Sequence, residues 1–315
     1  MKKTLVALAV LASAGSAQAI EIYNQDRATV NLTGDVEVVY LRDTAENAST
    51  QQEIQDADFG FDVRYAVNDD LQVGGYWEFS GDNAGAAEAG NVYVGFYSAM
   101  AGSLKIGRLD TVLDDAGIGN DYQFGTAGFF QNGSKFGLDE AIRYDVDKGT
   151  WYVSAALAQD KNDSTAVIGE DGYWFDGKAG FRVADFDFTG FLGKLKRDTG
   201  TVEADENLYA LEARYNGFEN IGLAAGYYNV KGDIVNPGTD VKGDAIALDA
   251  TYSLDAWKFA VGYTRLDGDD QEAENTYYLN AGYGIAPSTT VYAELGGTDA
   301  DNSQLGFAIG MKSEF

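Results

Sequence analysis

The chain has no cysteine and no histidine, and only two of its 315 residues are proline. Without cysteine there is no disulfide framework, no thiol nucleophile and no Cys-rich zinc site. Without histidine the commonest general base is missing, and with it any Ser-His-Asp triad. A barrel enzyme of the phospholipase or protease kind therefore has no usual base to work with, although carboxylate chemistry stays open. Bases are scarce as well: Lys and Arg total 22 against 50 Asp and Glu, a net charge of −28. Phosphate binding needs basic clusters, so a nucleic-acid partner is not expected. After the N-terminus no apolar run approaches the roughly 18 residues of a helical span, and mean hydropathy is −0.25.

Gly (39), Tyr (20) and Phe (17) are abundant instead. With so little proline, that composition suits many strands joined by tight turns. Pro237 in "GDIVNPGTD" and Pro287 in "GIAPSTT" both sit in turn-like contexts.

The first 19 residues read as a cleavable secretory signal peptide. Lys2 and Lys3 precede an apolar run from Leu5 to Ala12, and small residues end in Ala17-Gln18-Ala19. The run is too short to cross about 30 Å of hydrocarbon. The mature chain, 20–315, reads as one domain.

Along it one unit repeats, a strand of about ten residues alternating apolar with small or polar residues. Sixteen such strands are counted. The first covers 29–42, the second and third form a hairpin over 57–80, and "GFAIGMKSEF" closes the chain. Short connections such as "NDD", "DKG" and "DA" alternate with generally longer acidic ones such as "DTAENASTQQE" and "DGDDQEAE". Short turns at one rim and longer loops at the other define an up-and-down barrel of outer-membrane type. "DGDDQEAE" lacks the positional pattern of an EF-hand and is not assigned to calcium.

Ions keep to one strand parity. Phe59, Phe61, Val63 and Tyr65 alternate with Asp58, Gly60, Asp62 and Arg64. Tyr209, Leu211, Ala213 and Tyr215 alternate with Ala210, Glu212 and Arg214. An Arg or Lys at mid-bilayer costs roughly 2–4 kcal/mol, so the charged parity belongs inside, around water. Aromatics near strand ends on the other parity, among them Tyr40, Trp77, Trp151 and Trp257, suit interfacial girdles. One connection stands apart: 111–139 is long, Gly-rich and interrupted by Tyr122, Phe124, Phe129 and Phe130. Such a loop is functional more often than not.

"KIGRLDTVLDDAGIGNDYQFGTAG" resembles the fifth strand and third loop of Gram-negative general diffusion porins. "EIYNQD", "VNLTGDVEVVY", "DDLQVGGYWEFS" and the aromatic last strand match the same family in order. The resemblance implies an all-β, sixteen-stranded antiparallel transmembrane β-barrel with an inward-folded third loop (111–139) that narrows the pore. It further implies a homotrimer in the bacterial outer membrane that passes ions and small hydrophilic solutes without a cofactor. Arg108 matches a wall arginine of the family and Lys135 aligns with another. Asp35 and Asp58 stand where the family often has bases, and Gln123 where it usually has glutamate. Asp62 and Arg64 on the same wall, and Asp110, Asp114, Asp115 and Asp121 around the loop, complete the expected constriction. The acidic wall implies a preference for cations. The alternative is a channel specific for sugars or oligosaccharides, for which Tyr76, Tyr152 and Tyr278 would have to form an aromatic track. Divalent cations bridging the acidic outer loops to lipopolysaccharide are a further expectation. Phe315, a terminal aromatic on an alternating strand, is expected to be read by the barrel assembly machinery.

Overall fold

The computed structural model describes residues 19–81, 88–125, 137–162, 168–200, 202–234, 239–268 and 272–315. The strands are β1 (Ile20–Gln25), β2 (Ala28–Arg42), β3 (Gln51–Ala66), β4 (Leu71–Ser80), β5 (Glu88–Ser98) and β6 (Gly102–Asp110). Next come β7 (Gly137–Asp147), β8 (Trp151–Gln159), β9 (Tyr173–Val183), β10 (Phe186–Asp198), β11 (Glu203–Phe218) and β12 (Ile221–Ile234). The chain closes with β13 (Thr239–Leu254), β14 (Trp257–Gly268), β15 (Glu274–Ala286), β16 (Thr289–Thr298) and β17 (Gly306–Glu314). From β2 onward each strand pairs antiparallel with the next, and β17 returns to β2, with Phe307 opposite Arg42 and Glu314 opposite Asp35. These sixteen strands form a closed barrel without a free edge, which satisfies every ladder group that a bilayer would otherwise leave bare.

All sixteen strands expected from the alternation are present, several with longer ends. β3 begins at Gln51, well before residue 57. β1 was not expected. It forms a hairpin with the first half of β2 through Asp26 and Arg27, both at positive φ (53° and 65°). β1 and β17 occupy the same edge of β2. Ile20 stands opposite Leu32, while Phe315 exchanges backbone hydrogen bonds with Gly34 at 2.7 and 2.8 Å. β1 and the closing residues thus lie head to tail, with only Thr33 between their partners on β2.

Turns at one rim are tight. Residues 184–185, 219–220, 255–256 and 287–288 each join two strands, with left-handed φ at Ala184, Asn220, Asp255 and Ser288. Side chains sort by parity as the bilayer requires. Leu211 and Ile309, 66% and 59% exposed, belong to the outward set, whereas Asp176 and Glu294 on the inner set are 0% and 2% exposed. Trp257, Phe259 and Tyr283 stack on the outer face beside the tight turns.

The barrel interior is partly filled. A 3-10 turn, Val112–Asp115, leads the connection after β6. Val112, Leu113 and Ile118 are buried in one apolar cluster with Leu138, Trp174, Phe191, Leu208 and Tyr228. At about 25 cal/mol per Å², that burial holds the connection against the strands β7–β12.

Candidate pore

Residues 111–125 run along the inner faces of the strands, held by carboxylates that the strands present. Asp176 on β9 accepts the backbone N–H groups of Val112 (3.0 Å) and Leu113 (2.8 Å) and the Trp174 indole N–H (2.8 Å). Glu212 on β11 accepts from Gly117 N–H at 2.7 Å. Asp249 on β13 accepts from the Asn120 amide (2.8 Å) and the Tyr278 hydroxyl, and that hydroxyl in turn accepts from Asn120 N–H at 2.7 Å. Glu294 on β16 accepts N–H groups of Tyr122, Gln123 and Phe124, each at 2.7 Å, and the Asn280 amide at 2.8 Å. Glu37 on β2 accepts from the Gln123 amide at 2.8 Å and the Tyr292 hydroxyl at 2.5 Å. All five carboxylates are buried. A loop with few internal hydrogen bonds finds acceptors for its orphan donors this way.

Packing secures the same path. The Tyr122 ring stacks on Tyr292, with centroids 3.9 Å apart and planes nearly parallel. Phe124 lies against Gly296 and Gly306, where a Cβ would come within 2.3 and 2.8 Å of the ring. Tyr278 lies over its cross-strand partner Gly262 in the same manner.

The expected constriction residues divide into groups. Asp35 and Asp58 face each other across β2 and β3 on the inner wall, and Asp35 pairs with Lys312 at 3.3 Å. Asp58 accepts Gly81 N–H at 3.2 Å. Asp62 and Arg64 form an ion pair at 2.7 Å, and the Arg64 guanidinium sits 3.8 Å from the Tyr97 ring centre. Asp110 accepts from the Asn91 amide at 2.9 Å. Asp115 bridges two wall bases, Arg143 and Lys178, at 2.6 Å each. Asp114 is exposed in the 3-10 turn. Its carboxyl is set among protein atoms and beside Asp110 and Asp115, and this pushes its pKa up to about 6. Burial, together with Glu294 and Asp249, raises that of Asp121, which folds over the turn towards Gly125. Gln123 ties the loop tip to Glu37 and Tyr292, as described.

Arg108 differs from its pore-lining expectation. The register sets it opposite Val92, on the outward parity of Ile106, ion-paired to Asp139 and donating to the Ala89 carbonyl at 2.8 Å. Gly107, at φ 146°, stands where the pairing with β7 is irregular, between Gly107–Ala141 and Leu109–Leu138; the extra residue is on β7, and β6 keeps its alternation through Arg108. The inward basic positions belong to Lys105, Arg143 and Lys178, which the parity rule covers but no motif singles out. Lys135 lies outside the described residues. Asp56 and Glu78 also join the inner acidic wall. Asp56 keeps the parity of Asp58 and Asp62 but precedes residue 57, where the sequence alternation places the start of the strand; the bulge at Gln55, between the pairs Glu37–Asp56 and Val38–Ile54, switches the parity of β3 only for the residues before it.

A closed sixteen-stranded barrel, apolar outside, ionic inside and lined by one long connection, defines a transmembrane channel. The model of the Gram-negative porin family matches residues 4–303, and the chain belongs to that family. It is 31% identical to Porin-like protein H of Photobacterium profundum over the whole of both chains. It is 26% identical to a Monosaccharide porin of Halomonas sp, over 96% of this chain and 82% of that one. The fold matches OmpT, an outer membrane protein of Vibrio cholerae in trimer form, with a TM-score of 0.79 at 20% identity over 92% of this chain and all of that one. It also matches an anion-selective porin from Comamonas acidovorans, TM-score 0.74 at 18% identity, over 91% of this chain and all of that one. The protein is an outer-membrane porin, a passive channel and not an enzyme.

Proposed function

We propose that the pore passes ions and small hydrophilic solutes by diffusion and prefers cations. One observation carries the preference: among the described residues most of the inner wall's bases are matched, Lys258 (which donates to the Asn120 side-chain oxygen at 2.7 Å) and Arg197 excepted, while a larger number of its acids are not. Arg64, Lys105, Arg143, Lys178, Arg182, Arg214 and Lys312 each have a carboxylate within 4.0 Å. Among the described residues Asp58, Glu78, Asp110 and Asp114 have no basic partner at that distance. Unmatched carboxylates in a narrow, low-dielectric passage raise the local cation concentration. The reversal potential across a KCl gradient tests this; a sign reporting anion selectivity, as in the Comamonas relative, would overturn it.

In this reading segment 111–139 is the constriction, because its described part takes up luminal space between β7 and β2. Three copies assemble as in the OmpT trimer form, and a cross-linking ladder ending at three tests that. A dedicated sugar channel fits less well, since Tyr278 and Tyr292 are engaged with the loop and do not form a free track. Export by residues 1–19 is tested by sequencing the mature N-terminus, expected at Ile20. For the outer loops we retain divalent bridging to lipopolysaccharide, tested by whether chelation releases bound lipopolysaccharide.

A further inference from the structure

The geometry points to a binding subsite for neutral polyhydroxyl solutes at the mouth of the pore, on the long-loop side. It rests on the porin reading for its access but on separate residues for its chemistry. A cavity of about 450 Å³ lies between the start of β3, the start of β15, the end of β16 and the loop tip. Its wall on β3 exists because of the bulge at Gln55. With the alternation broken there, Gln51, Glu53 and Gln55 all border the cavity. Bulges re-aim side chains in this way next to functional sites.

The donor set defines the solute. Glu53 takes one amide hydrogen bond on each oxygen, from Gln51 and, at 2.9 Å, from Gln55. The carboxylate is thereby held in place, and each glutamine keeps its carbonyl and a second N–H. Gln123 spends its amide nitrogen on Glu37 and Tyr292 and keeps its carbonyl. The Thr276 hydroxyl has no partner among the described residues. Phe124, seated on Gly296 and Gly306, borders the same space as an apolar platform. No Lys or Arg lines the cavity, so anions are not attracted. The carboxylates do not gather as a metal site: among the described residues no group of three or more acidic side chains is placed to hold an ion. Acceptors outnumber donors, which suits a molecule carrying several hydroxyl donors and one apolar face, such as a pyranose. The cavity opens to the pore mouth, so the subsite concentrates such solutes ahead of the constriction without closing the channel.

The test is single-channel recording in planar bilayers with D-glucose added on the long-loop side. Conductance should fall saturably, beyond the linear loss that viscosity imposes. Each variant is normalised to its own conductance in salt alone. Gln55→Ala should raise the half-saturating concentration roughly threefold to tenfold, as loss of one or two hydrogen bonds would, and Phe124→Ala should abolish saturation. If Phe124→Ala disturbs the loop, Thr276→Ala reports on the same cavity from the opposite wall. A purely linear response, unchanged by Gln55→Ala or Thr276→Ala, would overturn the subsite. So would saturation by choline with none by glucose. Absence of any conductance in salt would overturn the porin reading instead; saturation-transfer NMR with glucose on the detergent-solubilised protein then decides the subsite by itself.

Discussion

Asp114 is the titratable group most directly placed to alter conduction near neutral pH. Its pKa is about 6 against an ordinary 3.8, so the folded protein holds the proton more tightly than the unfolded chain between those values. Ionisation above pH 6 therefore works against the folded state, and the charge is present only there. Cation preference should fall as pH drops from about 7 to about 5, and Asp114→Asn should flatten that part of the profile; reversal potentials measured over the range check both. Gly262 is sensitive for a different reason. A methyl group there would meet the Tyr278 ring at 2.0 Å, and Tyr278 anchors both Asn120 and Asp249. Gly262→Ala should cost about 1–3 kcal/mol by overpacking, seen as an earlier thermal unfolding by circular dichroism. Which residues carry charge inward could be read from alternation alone. The role of Gly262 could not, because its partner is set by the pairing of two separate strands.

At the scale of elements, the long connection behaves as an interior strap fixed at successive strands. Its tip depends most on Glu294, the acceptor for three consecutive N–H groups. Glu294→Ala leaves those donors without an acceptor, each an unmet buried group worth about 1–3 kcal/mol. The expected outcome is noisier single-channel current with a raised mean conductance. Glu294→Gln should recover part of the wild-type behaviour, because a carbonyl can still accept. Strand existence was legible in the sequence because the bilayer enforces a two-residue period on every strand. The strap's anchors were not. Asp176, Glu212, Asp249, Glu294 and Glu37 obey the parity rule, yet nothing local ties them to residues 112–124. The bulge at Gln55 escaped for the same reason: one inserted residue leaves no compositional mark. Arg108 shows the converse, a motif match that implies an inward side chain where the plain alternation with Ile106 already sets it outward.

At the scale of the molecule, charge is arranged rather than merely abundant. A chain of net charge −28 could have been acidic throughout its lumen. Instead, acids on β9, β11, β13, β16 and β2 serve to hold the connection, Asp62 and Asp115 pair with wall bases, and Asp58 on β3, Glu78 on β4 and Asp114 on the 3-10 turn have no basic partner among the described residues. The total charge alone did not reveal that division, since bound and unbound acids look the same in a composition. Closure gives one more expectation. Deleting Phe315 removes both hydrogen bonds to Gly34 and the terminal aromatic proposed as an assembly signal. The amount of barrel recovered from the outer membrane should drop severalfold, and a wild-type level would refute the signal role.

The shared edge on β2 also sets an order of events. Residues 28–32 are taken by the N-terminal hairpin, but 35–42 stay unpaired on that side until the last nine-residue strand arrives. Closure therefore waits for β17. Until β17 is in place one edge of β2 keeps an unfilled socket, and β17 is the strand whose register fits beside β1. The architecture thus makes its own seam a checkpoint: a copy truncated before β17 cannot shut.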